Sequence, residues 1–299
     1  MARACGKVIL LGEHAAVYGI PAIACGIARG ATATARLAAT SRLRLGEAWL
    51  TPGDTAEAAA AFAALLAAAP GAAAEVEVEL ELPPGCGLGS SAAIGVAIVR
   101  ALARARAAAP DEALVRRAAG AWEQVFHGNA SGVDVAAASL GGCLRFSRGE
   151  EPRALTLGAP LELAIGVAGP AASTRQMVEA VARLRERRPE PFAKTLEAIR
   201  SLVDNATLAL EAGDHAALGK LMDANQMLLA GWYVSTAEIE RACRAARAAG
   251  ALGAKLTGAG GGGAVVALAA AGGAAAILAA WRAIGVEGFP AAVGSGGSP

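Results

Sequence analysis

Pro83-Pro-Gly-Cys-Gly-Leu-Gly-Ser90-Ser91-Ala-Ala-Ile-Gly95 is the stretch on which the reading of this chain turns. Glu75-Val-Glu-Val-Glu-Leu-Glu-Leu82 runs into it, alternating at period two in the manner of a half-buried strand. Residues 91–108 follow it as an uninterrupted helix former. Glycines 85, 87 and 89 let backbone come close to a bound group, while Ser90 and Ser91 stand beside the orphan N–H groups at the helix start. Strand, glycine loop and helix N-terminus together make an anion site, with phosphate as the natural guest. The plainer alternative is a Ser-capped helix behind a flexible linker; three spaced glycines ahead of two serines favour phosphate. No G-x-x-x-x-G-K-[ST] occurs in the chain, so the P-loop NTPases are excluded.

Outward from this loop the pattern is mixed. Residues 6–12, 21–28 and 31–38 read as strands and 55–69 as a helix. The acidic face of 75–82 reads as solvated. Pro110-Asp-Glu112 opens a helix to about Phe126, His127-Gly-Asn129 is a loop, and 131–138 returns to helix. Strand-like runs follow near 142–147, 153–157 and 161–168. The second half changes character, with helices over 174–188, 190–212, 214–231 and 235–249. A strand (252–257), a glycine loop, a strand (264–268), a helix (273–284) and short terminal strands complete it. Strands and helices are mixed on both sides of a boundary near 155–165, so the class is α+β in two domains.

With 299 residues, 55% of them hydrophobic and 18% charged, the chain can bury a substantial core. A net charge of +1 and 4% aromatics argue against a nucleic-acid partner. Five scattered cysteines without a C-x-x-C pair, and three histidines, argue against a disulfide scaffold or structural zinc, with a reducing compartment as the expectation. The first residues carry charge too soon for a signal peptide. Leu256 to Trp281 is free of charge and long enough to cross a bilayer, which takes ~20 residues. Its glycine tetrad and Gly272-Gly273 break it into loop, buried strand, turn and helix, so no membrane span is expected. Gly258-Ala-Gly260-Gly-Gly-Gly263 satisfies G-x-G-x-x-G, yet a strand pattern follows it where a dinucleotide site needs a helix.

A second constellation is Glu123-Gln-Val-Phe-His127-Gly-Asn-Ala-Ser131-Gly-Val-Asp134. Phosphoryl transfer needs a hard cation on oxygen ligands and, often, a carboxylate near the acceptor hydroxyl. Glu123 with a serine hydroxyl suits Mg²⁺, and Asp134 suits the proton. Lys7, beside an N-terminal strand, suits the charge of a phosphate or a developing alkoxide. Each of the three alone is an ordinary surface residue. A serine hydrolase has little support, since neither Ser90 nor Ser91 stands in G-x-S-x-G.

Taken in order, Gly6-Lys-Val-Ile-Leu-Leu-Gly-Glu-His-Ala-Ala-Val-Tyr-Gly19, Pro84-Gly-Cys-Gly-Leu-Gly-Ser-Ser-Ala-Ala93 and Lys255-Leu-Thr-Gly-Ala-Gly-Gly-Gly-Gly263 resemble the three motifs of the GHMP kinases. Within that superfamily, Gly12-Glu-His-Ala-x-Val-Tyr-Gly19 and the Glu123 to Asp134 block look like the mevalonate kinases. The resemblance implies a ribosomal-S5-domain-2-like N-terminal domain (1–160) that binds ATP and a ferredoxin-like C-terminal domain (161–299). It implies transfer from ATP, with Mg²⁺, to the C5 hydroxyl of mevalonate, a cytoplasmic step toward isoprenoids. Asp134 would take the hydroxyl's proton and Lys7 would stabilise the charge that moves. Pro84, Gly85, Gly87, Leu88, Gly89, Ser90, Ser91 and Ala92 would hold the nucleotide, with Ser91 and Glu123 on the metal. Glu13, His14, Thr174 and Gly260 would face the substrate. Small molecules would be its only partners apart from a second copy of itself, since oligomeric state is not fixed by the motifs.

Two departures from the family pattern stand out. Ala130 occupies the place of a usual proline near the base, and the insert before Ser173, Gly169-Pro-Ala-Ala, is short on the substrate side. Other readings on the same motifs are a phosphomevalonate, homoserine or sugar kinase, or a metabolite-binding regulator without catalysis. The last would tolerate loss of Lys7, Ser91, Glu123 and Asp134, and all four are present.

Overall fold

The computed structural model describes residues 1–128 and 131–294, so Asn129 and the departure at Ala130 lie outside the described residues. Two sheets organise the chain. The first joins β1 (Ala2–Leu11), β2 (Ala22–Leu37), β3 (Arg42–Leu45), β4 (Ala48–Leu50), β5 (Ala74–Leu80), β6 (Cys143–Phe146) and β7 (Arg153–Ala154) in the order β4-β3-β5-β2-β6-β7, with β1 also on β2. Residues 31–33 pair with both β1 and β5, and 23–25 with both β1 and β6. β1 therefore holds one edge of β2 while β5 and β6 share the other. Over the sheet lie α1 (Glu57–Ala68), α2 (Ser90–Ala105), α3 (Glu112–His127) and α4 (Val133–Leu140), with α2 packed on β1 and β2 and α3 on α1 and α2. Asp111 caps α3 by accepting from Ala113 N at 3.0 Å.

The sequence reading splits β2 at Gly30, and the structure corrects this to one strand of 16 residues. At Gly30 the two strands come so close that a Cβ would sit 1.9 Å from the Ala4 carbonyl oxygen. The register jumps there from Cys5↔Gly30 to Gly6↔Ile27. The glycine marks a bulge and a close approach, not a strand end. The hairpin of β3 and β4, closed by a two-residue loop after Leu45, is an addition that the sequence reading did not contain. The acidic stripe of β5 is also not simply solvated: Glu75 pairs with Arg36 and Arg42, and Glu77 with Arg44, from the flanking strands.

The second sheet is antiparallel, in the order β11-β8-β10-β9, built from β8 (Leu161–Val167), β9 (Gly253–Leu256), β10 (Ala264–Ala269) and β11 (Glu287–Val293). Between β8 and β9 run α5 (Thr174–Arg187), α6 (Pro189–Ala212), α7 (His215–Gly231) and α8 (Ala237–Ala248), and α9 (Ala274–Ala283) precedes β11. The connection and strand order are those of a ferredoxin-like unit, closed by one terminal strand. All six residues of β10 are buried, which accounts for the apolar run through 264–269 without a membrane. Among the described residues no helix is long and apolar enough to cross a bilayer. One hydrophobic cluster takes in Val8, Ile23 and Leu88 together with Leu163, Val266 and Phe289, so the two sheets share a core.

Candidate active site

Lys7 stands on β1 with its side chain turned inward, 2% exposed, and its Nζ is 3.1 Å from Asp134 Oδ1. The glycine loop places it there. Lys7 N donates to Leu88 O at 2.8 Å, which stitches the loop to β1. Gly89 has φ +72°, and a Cβ on it would lie 2.6 Å from Lys7 Cγ, so the loop wraps the lysine stem where no side chain fits. Asp134 lies in the first turn of α4, whose positive end favours a carboxylate, and its side chain keeps 32% of its surface open. The result is a charged pair with the cation buried and the carboxylate reachable.

Glu123 comes from the last turn of α3 and is buried. Ser91, in the first turn of α2, accepts from Trp122 Nε1 at 3.0 Å and stands beside the Glu123 carboxyl, where its hydroxyl favours the charged form. Among the described residues Glu123 Oε1 is buried without a hydrogen-bond partner, while Oε2 has His127 Nε2 at 3.5 Å. The Glu123 carboxyl is pushed up to about 7, chiefly by burial and next by the Asp134 charge, against Ser91 and Lys7. Burial likewise pushes the half-buried His127 down.

That shift has a sign. An unfolded Glu releases its proton near 4.5, so between there and about 7 the folded chain holds the extra proton and loses stability as pH rises through the window. The cost at pH 8 is on the order of 3 kcal/mol. Glu123→Gln imitates the protonated form. The ligand-free variant should melt roughly 5 °C above the parent at pH 8 and only about 1 °C above it at pH 5 by calorimetry. Equal melting at both pH values would remove the strain assigned to this carboxylate.

Two cavities meet at these side chains. The smaller, about 110 Å³, is lined by Lys7, Ile9, His14, Val17, Ser131 and Val178 among others. The larger, about 330 Å³, is lined by Pro84, Gly85, Gly89, Ser90, Ser91, Ala92 and Trp122 among others. Gly87, Glu123, His127, Asp134 and Thr174 line both. The cleft thus has a glycine-and-serine lobe and a smaller lobe, with Asp134 at the passage between them.

The remaining sequence candidates lie elsewhere. Leu88 is buried beneath the loop and offers Lys7 its carbonyl. Glu13 lines neither cavity; its carboxylate is held by Lys255 Nζ and by Asn225 Nδ2, the latter at 3.1 Å. Gly260 lines neither as well, and a Cβ there would stand 2.2 Å from Val234 O. Val17, Val178 and Lys255 are absent from the sequence candidates: Val17 and Lys255 stand within the first and third motifs without being singled out there, and Val178, on α5, lies in no motif. The two glycine loops touch backbone to backbone: Ala264 N donates to Cys86 O at 2.9 Å, and a Cβ on Gly258 would meet Gly87 O at 2.9 Å. The Cys86 thiol is pushed up by burial, which slows its attack on thiol reagents.

Known proteins are similar in sequence and in fold. Mevalonate kinase of Aeropyrum pernix is 40% identical over 139 residues, 46% of this chain and 43% of that relative, so the chain spans less than half the length of the curated relatives it matches. The crystal structure of L. major mevalonate kinase in complex with R-mevalonate superposes with a TM-score of 0.85 at 29% identity, covering 99% of this chain and 96% of that one. Methanococcus jannaschii mevalonate kinase gives 0.82 at 25% identity, covering 97% and 96%. A family model for the GHMP kinases N terminal domain matches residues 54–142, and one for the GHMP kinases C terminal domain matches 206–287. Together they take in more than half of the sequence: the chain belongs to the GHMP kinases.

Proposed function

We propose that the chain transfers the γ-phosphoryl group of ATP to the C5 hydroxyl of mevalonate, giving 5-phosphomevalonate for isoprenoid synthesis. The observation that carries this reading is the position of Asp134, at the passage between the two lobes and 3.1 Å from a buried lysine. The glycine-and-serine lobe, at the start of α2, suits the triphosphate. An alcohol in the smaller lobe would attack the γ-phosphorus as the bond to the β-bridging oxygen breaks. Its proton would go to Asp134, and Lys7 would lie against the charge that develops.

Ser91 and Glu123 would hold Mg²⁺. The orphaned Oε1 and the neighbouring hydroxyl are hard oxygen donors of the kind this ion takes, and two protein ligands leave room for phosphate oxygens and water. When bound, the ion neutralises phosphate charge and orients the chain of phosphates.

The smaller lobe also bears on the acceptor. Its lining basic groups are Lys7, His14 and His127, and Lys7 already faces Asp134. Arg175, the nearest arginine in sequence to Thr174, instead donates to Phe126 O at 3.1 Å. Such a wall suits a small hydroxy acid better than a phosphorylated one, which supports mevalonate over phosphomevalonate. A domain division at 160/161, with one sheet on each side, and a reducing cytoplasm, which suits five free cysteines, complete the reading.

Release of ADP measured across mevalonate, phosphomevalonate, homoserine and galactose tests it. Mevalonate should exceed the others in kcat/KM by about 100-fold or more. A higher value for another alcohol would move the chain to a different GHMP kinase. No turnover with any would favour the non-catalytic reading.

A further inference from the structure

Residues 9–14, where β1 ends and turns, are fastened to the second half of the chain in three ways. Ile9 N donates to Thr257 Oγ1 at 2.7 Å, and His14 Nε2 lies 2.8 Å from Ala259 O. Between them, the Glu13 carboxylate bonds Lys255 Nζ on β9 and Asn225 Nδ2 on α7. Glu13 and Lys255 are both 0% exposed, and the ammonium also donates to Leu256 O at 2.6 Å. Taking two charges out of water costs more than an apolar pair of the same volume would, so stability alone gives little reason for such a bridge.

His14 is held in an unusual backbone conformation. Its φ is +60° with ψ −40°, a positive-φ conformation outside the left-handed helical well that a residue with a side chain rarely adopts. It is also the residue beside Glu13, and its ring lines the smaller lobe next to Ala259. A strained backbone, a buried bridge one residue away and an open cavity in front are therefore contiguous. We propose that Lys255 and Asn225, acting through Glu13, are positioning residues that hold His14 in this conformation and so set the affinity of the smaller lobe for its alcohol. The proposal rests on the functional reading above only in taking that lobe as the acceptor site.

The test uses the full chain and two readouts. Lys255→Met alone strands a buried carboxylate and can fail to fold, so the informative variant is Glu13→Gln with Lys255→Met, which removes both charges at similar volume. Its melting temperature should stay near the parent's. The KM for the best alcohol of the acceptor panel should rise tenfold or more, with the KM for ATP within twofold. In ¹⁵N-histidine-labelled protein, the His14 imidazole signal should move while those of His127 and His215 stay, each assigned by its own His→Gln variant. Asn225→Leu should shift the same signal and raise the same KM about threefold.

A folded double variant whose acceptor KM lies within twofold of the parent's would overturn the proposal. So would a parallel rise in both KM values, or an unmoved His14 signal. If the parent chain phosphorylates none of the alcohols, the functional reading fails, and the imidazole signal still decides whether the bridge holds His14.

Discussion

Asp134→Asn should lower turnover by roughly 10³-fold and leave ATP affinity close to that of the parent. The amide keeps the shape of the side chain, so the passage between the lobes stays open at the same width. What it cannot do is take a proton from the attacking alcohol. The substitution also leaves Lys7, 2% exposed, facing a neutral group where a carboxylate stood 3.1 Å away. Some loss of stability therefore accompanies the loss of rate. Steady-state kinetics with nucleotide binding measured separately distinguishes the two effects. Turnover within about tenfold of the parent would end the assignment of Asp134 as the base.

Lys7→Met should lower turnover by about 10²-fold to 10³-fold, the range for removing one preorganised charge from a site where charge develops. Methionine suits the position because the stem of Lys7 passes under Gly89, where nothing bulkier is accommodated. The loop and its hydrogen bond to Leu88 should survive, since that bond uses the backbone of residue 7. ATP binding would then change little while the chemical step slows. On the proposed mechanism Lys7 and Asp134 act on the same proton and the same oxygen, so their effects should not add. The double variant Lys7→Met with Asp134→Asn should turn over about as slowly as the slower single one. Additive losses would separate the two residues into independent roles.

Much of this site is legible in the sequence, and the reason is local. The glycine loop proposed to hold phosphate is written into neighbouring residues: Glu alternating with Val and Leu before it, glycines at alternate positions, two serines at a helix start. The strand after Gly263 is equally local and is enough to reject a dinucleotide site. The contact of Lys7 with Asp134 is different in kind, because the two belong to β1 and α4 and only the folded chain brings them together. The bridge from Glu13 to Lys255 is the same kind of fact: each residue sits in a recognisable motif, but their mutual burial leaves no trace in either stretch. Gly30 shows the opposite error, since a glycine amid strand residues reads as punctuation until the neighbouring carbonyl 1.9 Å from its missing Cβ is known. Leu43 and Leu45 alternate with arginines in the pattern of a strand, yet four residues are too few to stand out from a loop.

The contact between the two glycine loops has a consequence for how such a chain could be rebuilt. Cys86 and Gly87 meet Gly258 and Ala264 through main-chain atoms, so this seam does not depend on which side chains either half carries elsewhere. Grafting the N-terminal half of this chain onto the C-terminal half of a relative should close the cleft, provided glycine stands at both touching positions and the relative keeps partners for Glu13 and Ile9 and an apolar match to the shared core. Shape, more than residue identity, is what the grafted partner must supply there.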